Sequence, residues 1–572
     1  MTVSSATSST SSTTSSSSSS STTSSSSSLT TSGTSTTSTI DWTALIQSAV
    51  DAKLTQATQI STKITSNEAK ITAYQTLQTA LKTLSSGLSS LATSMVNSLA
   101  TNVFATRAAT ISATGDVSAS SALSMSVNNG AATGSHTLTI SQIATAHKVA
   151  GTTQSSQTTA LGYSGTFSLG LSGGTTADIT VTSDMSLQDV VDAVNAQTST
   201  TNVEASIVQV SSGSYELVLT GTEDAADITY SSSSGDDILN KLGVTDSSGA
   251  FATVLQTAQA AEFTLDGISL TRNTNDITDV LSGVTFDLLQ ATPSGTTLNI
   301  SIGTDTSQIS SALQTFVTNY NAFRDAVIAQ QTTNSDGTAA SSAVLFGDGT
   351  MRDIMNTLQD VLGTSVGGLT MADLGLSFNE KNELELDTGT LSTILSTNLS
   401  GVTTLLSAQT KTSSSQLSVV NTGTSPQSFT LDLTVDSSGN LTAASVGGDS
   451  SLFTVSGNTI VGNSGTAYAG MAFTYTGSTS QSITVTSTQG LATQIYQFAK
   501  TASSTTGSLQ TLIDNLTSRD ETLQAKVDDI KSAAATYQTQ LTAQYAKYQA
   551  AIESANNTLT YLKALLNASS SN

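Results

Sequence analysis

The stretch Tyr74-Gln75-Thr76-Leu77-Gln78-Thr79-Ala80-Leu81-Lys82-Thr83-Leu84-Ser85-Ser86-Gly87-Leu88-Ser89-Ser90-Leu91 steps from one apolar residue to the next by 3, 4, 3, 4 and 3 residues. Spacing that alternates three and four puts every apolar side chain on one stripe of a helix, the seam of a coiled coil. The stripe extends back through Ile71, Ile64, Ile60, Ala52, Ala49 and Leu45, and forward to Met95 and Leu99. Asp41 is placed to cap a helix that begins at Trp42. Residues 41–100 as one helix would reach roughly 90 Å, with a bend expected at Gly87.

The far end carries the same signal. Leu509, Ile513, Leu516, Leu523, Val527, Ile530, Ala534, Tyr537, Leu541, Tyr545, Tyr548, Ile552, Ala555, Leu559, Leu562 and Leu566 form a second stripe, with Asp520 its one polar member. Two consecutive four-residue steps, Tyr537 to Leu541 to Tyr545, relax left-handed supercoiling locally. Leu77, Leu81, Leu84, Leu88 and Leu91, with Leu516, Leu523, Val527, Ile530, Leu541 and Ile552, are therefore the expected coiled-coil seam, the two helices pairing with each other or with neighbouring subunits.

Between these helices the chain is mostly β-sequence, rich in Thr, Val and Ile with Gly, Asn and Ser at turns. One helix, opened by Ser186, is expected at Leu187–Asn195, and residues 306–330 and 350–363 turn helical again. Phe429, Leu431, Leu433 and Val435 alternate with polar residues before the turn Asp436-Ser437-Ser438-Gly439-Asn440. The expected fold is α+β and multidomain, with terminal helices paired in a long coiled-coil stalk and β-rich head domains between them. The expected divisions are a disordered Ser/Thr tail at 1–39, an N-terminal coiled-coil helix at 40–105, a head domain at 106–150 and 256–305, and an inserted head domain at 151–255. A helical or mixed core at 306–408, an extra β-module at 409–489 and a C-terminal coiled-coil helix at 490–572 complete the chain.

Composition narrows the chemistry. The 572 residues hold 18 Lys and Arg against 41 Asp and Glu, a net charge of −23, and charged residues are 10% of the chain against about 25% in ordinary soluble proteins. An acidic chain repels nucleic-acid phosphates and anionic membrane surfaces. No apolar run is long enough to span a bilayer. With no Cys, thiolate catalysis, disulfides and Cys-ligated metals are excluded. Residues 4–39 are Ser and Thr except Ala6, Leu29 and Gly33, too little apolar surface to offset ordering entropy. The N-terminus also lacks the basic start and apolar core of a cleaved secretory signal.

Candidate catalytic groups are sparse, and none is assigned as catalytic, cofactor-binding or metal-ligating. The two histidines, His136 and His147, lack metal-ligand spacing. Gly170-Leu171-Ser172-Gly173-Gly174 matches the nucleophile-elbow pattern, but a strand follows it where that elbow needs a helix. Glu380, Glu383, Glu385 and Asp387 read as the solvated side of a strand, without the aromatic platform of a sugar site. Arg272 reads equally as a subunit bridge or a turn-stabilising residue.

Five stretches are similar to one known family. They are the opening helix Ile40–Leu99, Gly134–His147, Ala177–Thr220, the run from Phe263-Thr264-Leu265-Asp266-Gly267 through Thr271-Arg272-Asn273-Thr274-Asn275 to Leu384-Glu385-Leu386-Asp387, and Tyr548–Leu562 with Asn556-Asn557-Thr558. Together they cover most of 40–408 and 490–568, and on them the chain resembles the flagellar hook-associated protein 2 family, the filament caps. The third stretch looks like the flagellin-type insertion motif. The Ser/Thr tail and the 409–489 module depart from the family pattern.

The resemblance implies a non-enzymatic cap without cofactors. It would lie outside the cell at the flagellar tip and be exported by the flagellar type III route without a cleaved signal peptide. It would form a homo-oligomeric ring, a pentamer or similar, that stops exported flagellin from leaking away and promotes its folding and polymerisation. Its implied partners are flagellin, the hook-filament junction proteins and a flagellar export chaperone, with no nucleic acid and no membrane insertion. Trp42, Leu45, Leu559, Tyr561 and Leu562, at the tips of the helices, are the expected docking residues. The alternatives are an adhesin for host-surface or mucin glycans and a structural subunit of the filament or hook junction.

Overall fold

The computed structural model describes residues 41–569 apart from Met95, Asp116 and residues 424–427; the expected tail at 1–39 lies outside the described residues. The fold is α+β, with helices and many antiparallel sheets. The chain divides into two compact units, Met1–Ile64 with Thr522–Asn572, and Thr65–Glu521. The long first helix, Trp42–Ala92, and last helix, Ser508–Ser569, contribute to both.

In the first unit the two helices run antiparallel. Trp42 meets Tyr545, and eleven residues further along the first helix Lys53 lies over Tyr537. Asp41 caps the first helix by accepting a hydrogen bond from the Ala44 N–H at 3.0 Å. Val50, Ala57, Val527 and Ala534 are buried between the helices, and Leu523, Ile530 and Leu541 are half-buried. The inward face of the first helix differs from the expected one. Ile46, Val50, Leu54 and Ala57 turn inward, whereas Leu45 and Ala52 are exposed. The steps 46–50–54 are two fours in succession, the same irregularity as 537–541–545 on the facing helix, so both helices relax their supercoil at one level. Ile552, expected on the seam, is exposed, because the first helix starts opposite Tyr545 and no described residue faces the last helix beyond it.

The second unit holds several cores. The helical one contains Leu77, Leu81, Leu84, Leu88 and Leu91, each at most 2% exposed, with Leu509, Ile513 and half-buried Leu516. The leucine stripe meets more than the last helix. Ile309, Leu313, Phe316 and Tyr320 of helix Thr306–Ala329 pack on it, as do Leu358 and Leu362 of helix Gly349–Leu362 and Ile495 of helix Leu491–Ala502. Polar pairs join the first and last helices here, Gln78 with Gln510 at 3.0 Å and Asn67 with Asp520 at 2.6 Å. Gly87 does not interrupt the helix. A Cβ there would lie 2.3 Å from Asn319 Nδ2, so the glycine admits a neighbouring helix.

The first helix stops at Ala92, short of the expected 100. Buried Asn102 donates to the Thr93 carbonyl and accepts from the Phe104 N–H, turning the chain toward the β region, and Val96 and Leu99 are left exposed. The expected single C-terminal helix from 490 is two helices, Leu491–Ala502 and Ser508–Ser569. At the break, a Cβ on Gly507 would lie 2.4 Å from the Thr501 carbonyl oxygen.

Two sheets enclose the core around Leu138, Ile140, Phe263, Phe286 and Ile300. The five-stranded one runs Arg107–Thr114, Thr297–Thr304, Gly134–Gln142, Ala261–Leu265, Ile268–Arg272; the three-stranded one runs Asp276–Leu281, Val284–Leu288, Leu123–Val127. A second pair of sheets, with helix Leu187–Asn195, encloses Phe167, Val190, Val194, Leu217 and Leu219. Ser186 opens that helix as expected, and does so through a capping box with Asp189. Strand Ala146–Ala150 pairs with Ser214–Asp224 and Thr253–Gln256 in this second group rather than with the first. The crossing is braced by Asn275, whose side chain bonds both the N–H and the carbonyl of Ala144 at 2.8 and 2.9 Å.

Between helices Leu399–Leu406 and Leu491–Ala502 sits a two-sheet module filled by Phe429, Phe453, Phe473 and Tyr475. Its incoming strand Gln409–Thr412 pairs with its outgoing strand Gln481–Thr488, so the module leaves and rejoins the helical core at one place.

Candidate functional site

The end of the first unit presents the most distinctive surface. The Trp42 and Tyr545 rings stack with centroids 4.9 Å apart and planes inclined by 29°, and Tyr548 meets Tyr545 edge-on at 6.1 Å. The Lys53 ammonium lies 4.5 Å from the centre of the Tyr537 ring. Beyond Tyr545 the last helix continues to Ser569 with every described residue exposed. Tyr548, Ile552, Ala555, Leu559, Leu562 and Leu566 keep the alternation of four and three residues, so the overhang carries an apolar seam with no facing helix among the described residues of the unit.

The expected docking residues separate into two groups. Trp42 is engaged with Tyr545 within the chain, whereas Leu45, Leu559, Tyr561 and Leu562 are all open to solvent, Tyr561 most of all at 68%. Leu565, off the stripe, is equally exposed. Its place next to Leu566 is the one signal that marks it. The spacing of the sequence marks Tyr545 only as a seam residue; the single Trp of the chain opposite it makes it the terminal clasp.

The groups weighed for chemistry are held in structural roles. His136 Nδ1 lies 2.7 Å from Asp266 Oδ2, and the Thr137 N–H donates to Asp266 Oδ1. The His136 hydrogen bond, followed by that N–H, holds the Asp266 carboxyl below the usual carboxylate range. Buried His147 accepts the Ile228 N–H on Nδ1 at 2.9 Å and packs edge-on against Phe251. Arg272 Nε bonds both oxygens of Asp279, from the edge strand of one sheet to the edge strand of the other, which takes up its fork within the chain. Gly170–Gly174 spans the end of strand Gly165–Leu171 and the turn that leads to strand Thr176–Val181. Glu383 and Glu385 accept from Asn379 Nδ2 in a short hairpin, and Asp387 caps helix Thr388–Thr397. Burial, then the hydrogen bond and charge of Asp348, pushes the Tyr74 hydroxyl well above the ordinary tyrosine value. Among the described residues no three His, Cys, Asp or Glu converge on a metal position.

A family model described as the flagellar hook-associated protein 2 C-terminus matches residues 258–557, its N-terminal counterpart matches 38–147, and a flagellin hook IN motif matches 166–223. The chain is 26% identical over 306 residues to the B-type flagellar hook-associated protein 2 of Pseudomonas aeruginosa, covering 50% of this chain and 64% of that one. It is 28% identical over 333 residues to the flagellar hook-associated protein 2 of Escherichia coli K12, covering 55% and 70%. The match thus spans a little under two-thirds of the Pseudomonas relative. A crystal structure of the Escherichia coli flagellar cap protein FliD, domains D1-D2-D3, aligns with a TM-score of 0.46 at 21% identity over 78% of this chain and 99% of that one.

Helices at both ends of a series of β-rich domains, matched over these stretches, define a flagellar hook-associated protein. The chain belongs to the flagellar hook-associated protein 2 family.

Proposed function

We propose that the protein is a flagellar filament cap, a non-enzymatic assembly factor outside the cell at the distal tip. The observation that carries the reading is the apolar seam of the last helix beyond Tyr545, exposed and unpaired among the described residues, on a chain of this family. A bare heptad stripe is costly to leave in water and gains by meeting another amphipathic helix. Leu45, Leu559, Tyr561 and Leu562 would dock on the filament end, with the antiparallel helices acting as a coiled-coil leg and the β-rich domains as the plate of a ring of about five copies. The plate would hold back exported flagellin while it folds and polymerises. Hook-filament junction proteins and an export chaperone would be the other partners, and type III export without a cleaved signal would deliver the chain.

Legs that hold by apolar contacts and few charges can release and re-dock as each flagellin inserts, because no desolvated ion pair has to be broken. Removing residues 546–572 is expected to abolish filament growth while flagellin and the truncated cap still reach the medium. Filaments of normal length from that truncation would refute the reading.

A further inference from the structure

One sheet of the inserted domain has two open edges that fit each other. Its strand order is Thr253–Gln256, Ala146–Ala150, Ser214–Asp224, Val203–Ser211, all neighbours antiparallel. An exposed edge strand offers unpaired N–H and C=O groups to another chain, and proteins usually blunt it with charge, proline, a bulge or a covering side chain.

Here the covering by side chains stops halfway along strand Val203–Ser211, whose pairing shifts register between Gln209 and Ser211 as that of the opposite edge does between Val254 and Gln256. Asn195 donates to the Ala205 carbonyl at 3.0 Å and accepts its N–H at 2.8 Å, Thr198 Oγ1 donates to the Val203 carbonyl, and the Val203 N–H donates to Thr201 Oγ1. The outward backbone groups at Val203 and Ala205 are therefore taken. Those at Ile207 and Gln209, the next outward positions in an alternating strand, have no such covering side chain among the described residues. This half carries Val208 and Val210, each almost half exposed. At the other edge all four residues of Thr253–Gln256 are exposed, including Val254 and Leu255. Neither Ile207–Ser211 nor Thr253–Gln256 contains a charged residue or a proline.

Because the sheet has four antiparallel strands, its two edge strands point in opposite directions. A second copy placed beside the first in the same orientation then brings Thr253–Gln256 of one against Ile207–Ser211 of the other as an antiparallel pair. We propose that these two edges join, so that the sheet continues from one copy of the chain into the next. The pair is heterologous, each copy giving a different edge, and such contacts build a ring when the rotation closes and an open strand of copies when it does not. The inference rests on the oligomeric cap reading and names the surface that assembles it.

The test uses the full chain in two variants. Gln209→Pro removes an outward N–H that serves no partner within the sheet, and Leu255→Lys puts a charge on the opposite edge; Val210→Lys stands in if the proline lowers the melting temperature. Each variant alone is expected to lose the oligomers of the parent chain in size-exclusion light scattering. An equal mixture of the two is expected to recover dimers and stop there, since each contributes one intact edge. In the Cys-free chain, Val208→Cys mixed with Val254→Cys should give a covalent dimer with a short bismaleimide, and neither variant alone should. Variants that still assemble like the parent, or a mixture that stays monomeric, overturn the inference. If rings and filament growth persist in both variants, the cap reading stands and this interface falls; a parent chain that stays monomeric at all concentrations overturns both.

Discussion

Trp42 stacks on Tyr545 at 4.9 Å, and past this pair the last helix runs on to Ser569 with its apolar stripe uncovered. One residue from the start of the first helix thus marks where the intrachain pairing ends and the free seam begins. Stacked aromatic pairs add roughly 1 kcal/mol beyond the area they bury. Trp42→Ala is expected to fray the pair locally, with faster hydrogen exchange at residues 42–50 and 537–548 and no change at the buried leucines 77–91.

Leu81 and Leu559 both sit on heptad stripes but should behave oppositely. Leu81 is fully buried in the helical core, so Leu81→Ala is expected to cost about 2–5 kcal/mol in denaturant unfolding. Leu559 is exposed, and Leu559→Ala should change stability by less than about 0.5 kcal/mol while impairing filament growth. Equal losses of stability in the two variants would contradict the placement of the seam.

Two glycines separate a soft contact from a hard one. A Cβ on Gly87 meets the amide end of Asn319, which can swing away, and helix propensity returns up to about 1 kcal/mol, so Gly87→Ala should be near neutral. A Cβ on Gly490 would lie 2.2 Å from the Leu406 carbonyl carbon, at the place where the β-module rejoins the helical core. Gly490→Ala is expected to destabilise by about 1–3 kcal/mol, read as a lowered melting midpoint.

The stripes were legible because leucines repeat at three and four residues on an otherwise polar helix, and Leu187–Asn195 was legible from the Ser186 that opens it. The inward register at Ile46, Val50 and Leu54 was not, since Leu45 and Ala52 satisfy a heptad equally well and only the facing irregularity at Tyr537–Tyr545 selects between them. The helix end at Ala92 depends on Asn102, ten residues away. The allegiance of Ala146–Ala150 depends on which of two sheets supplies its neighbours, a long-range matter that alternation within five residues does not encode. Of the tip residues, exposure at Leu559, Tyr561 and Leu562 follows from where the first helix begins, whereas the loss of Trp42 to Tyr545 depends on pairing across the fold.

The His136–Asp266 pair sets an acid response. Folding lowers the Asp266 carboxyl below its unfolded value of about 3.9, so its contribution is present above that pH and fades as pH falls through the lower folded value. His136→Ala removes the largest cause, and the Asp266 carbon resonance in an NMR titration should then move at higher pH than in the parent. An unchanged midpoint would assign the depression to the Thr137 N–H instead.

The central claim is the place of the protein on the filament. Immunogold labelling of intact flagella with an antibody to the 409–489 module is predicted to mark the distal tips alone, one cluster to a filament. Label spread along the shaft or confined to the hook would contradict it.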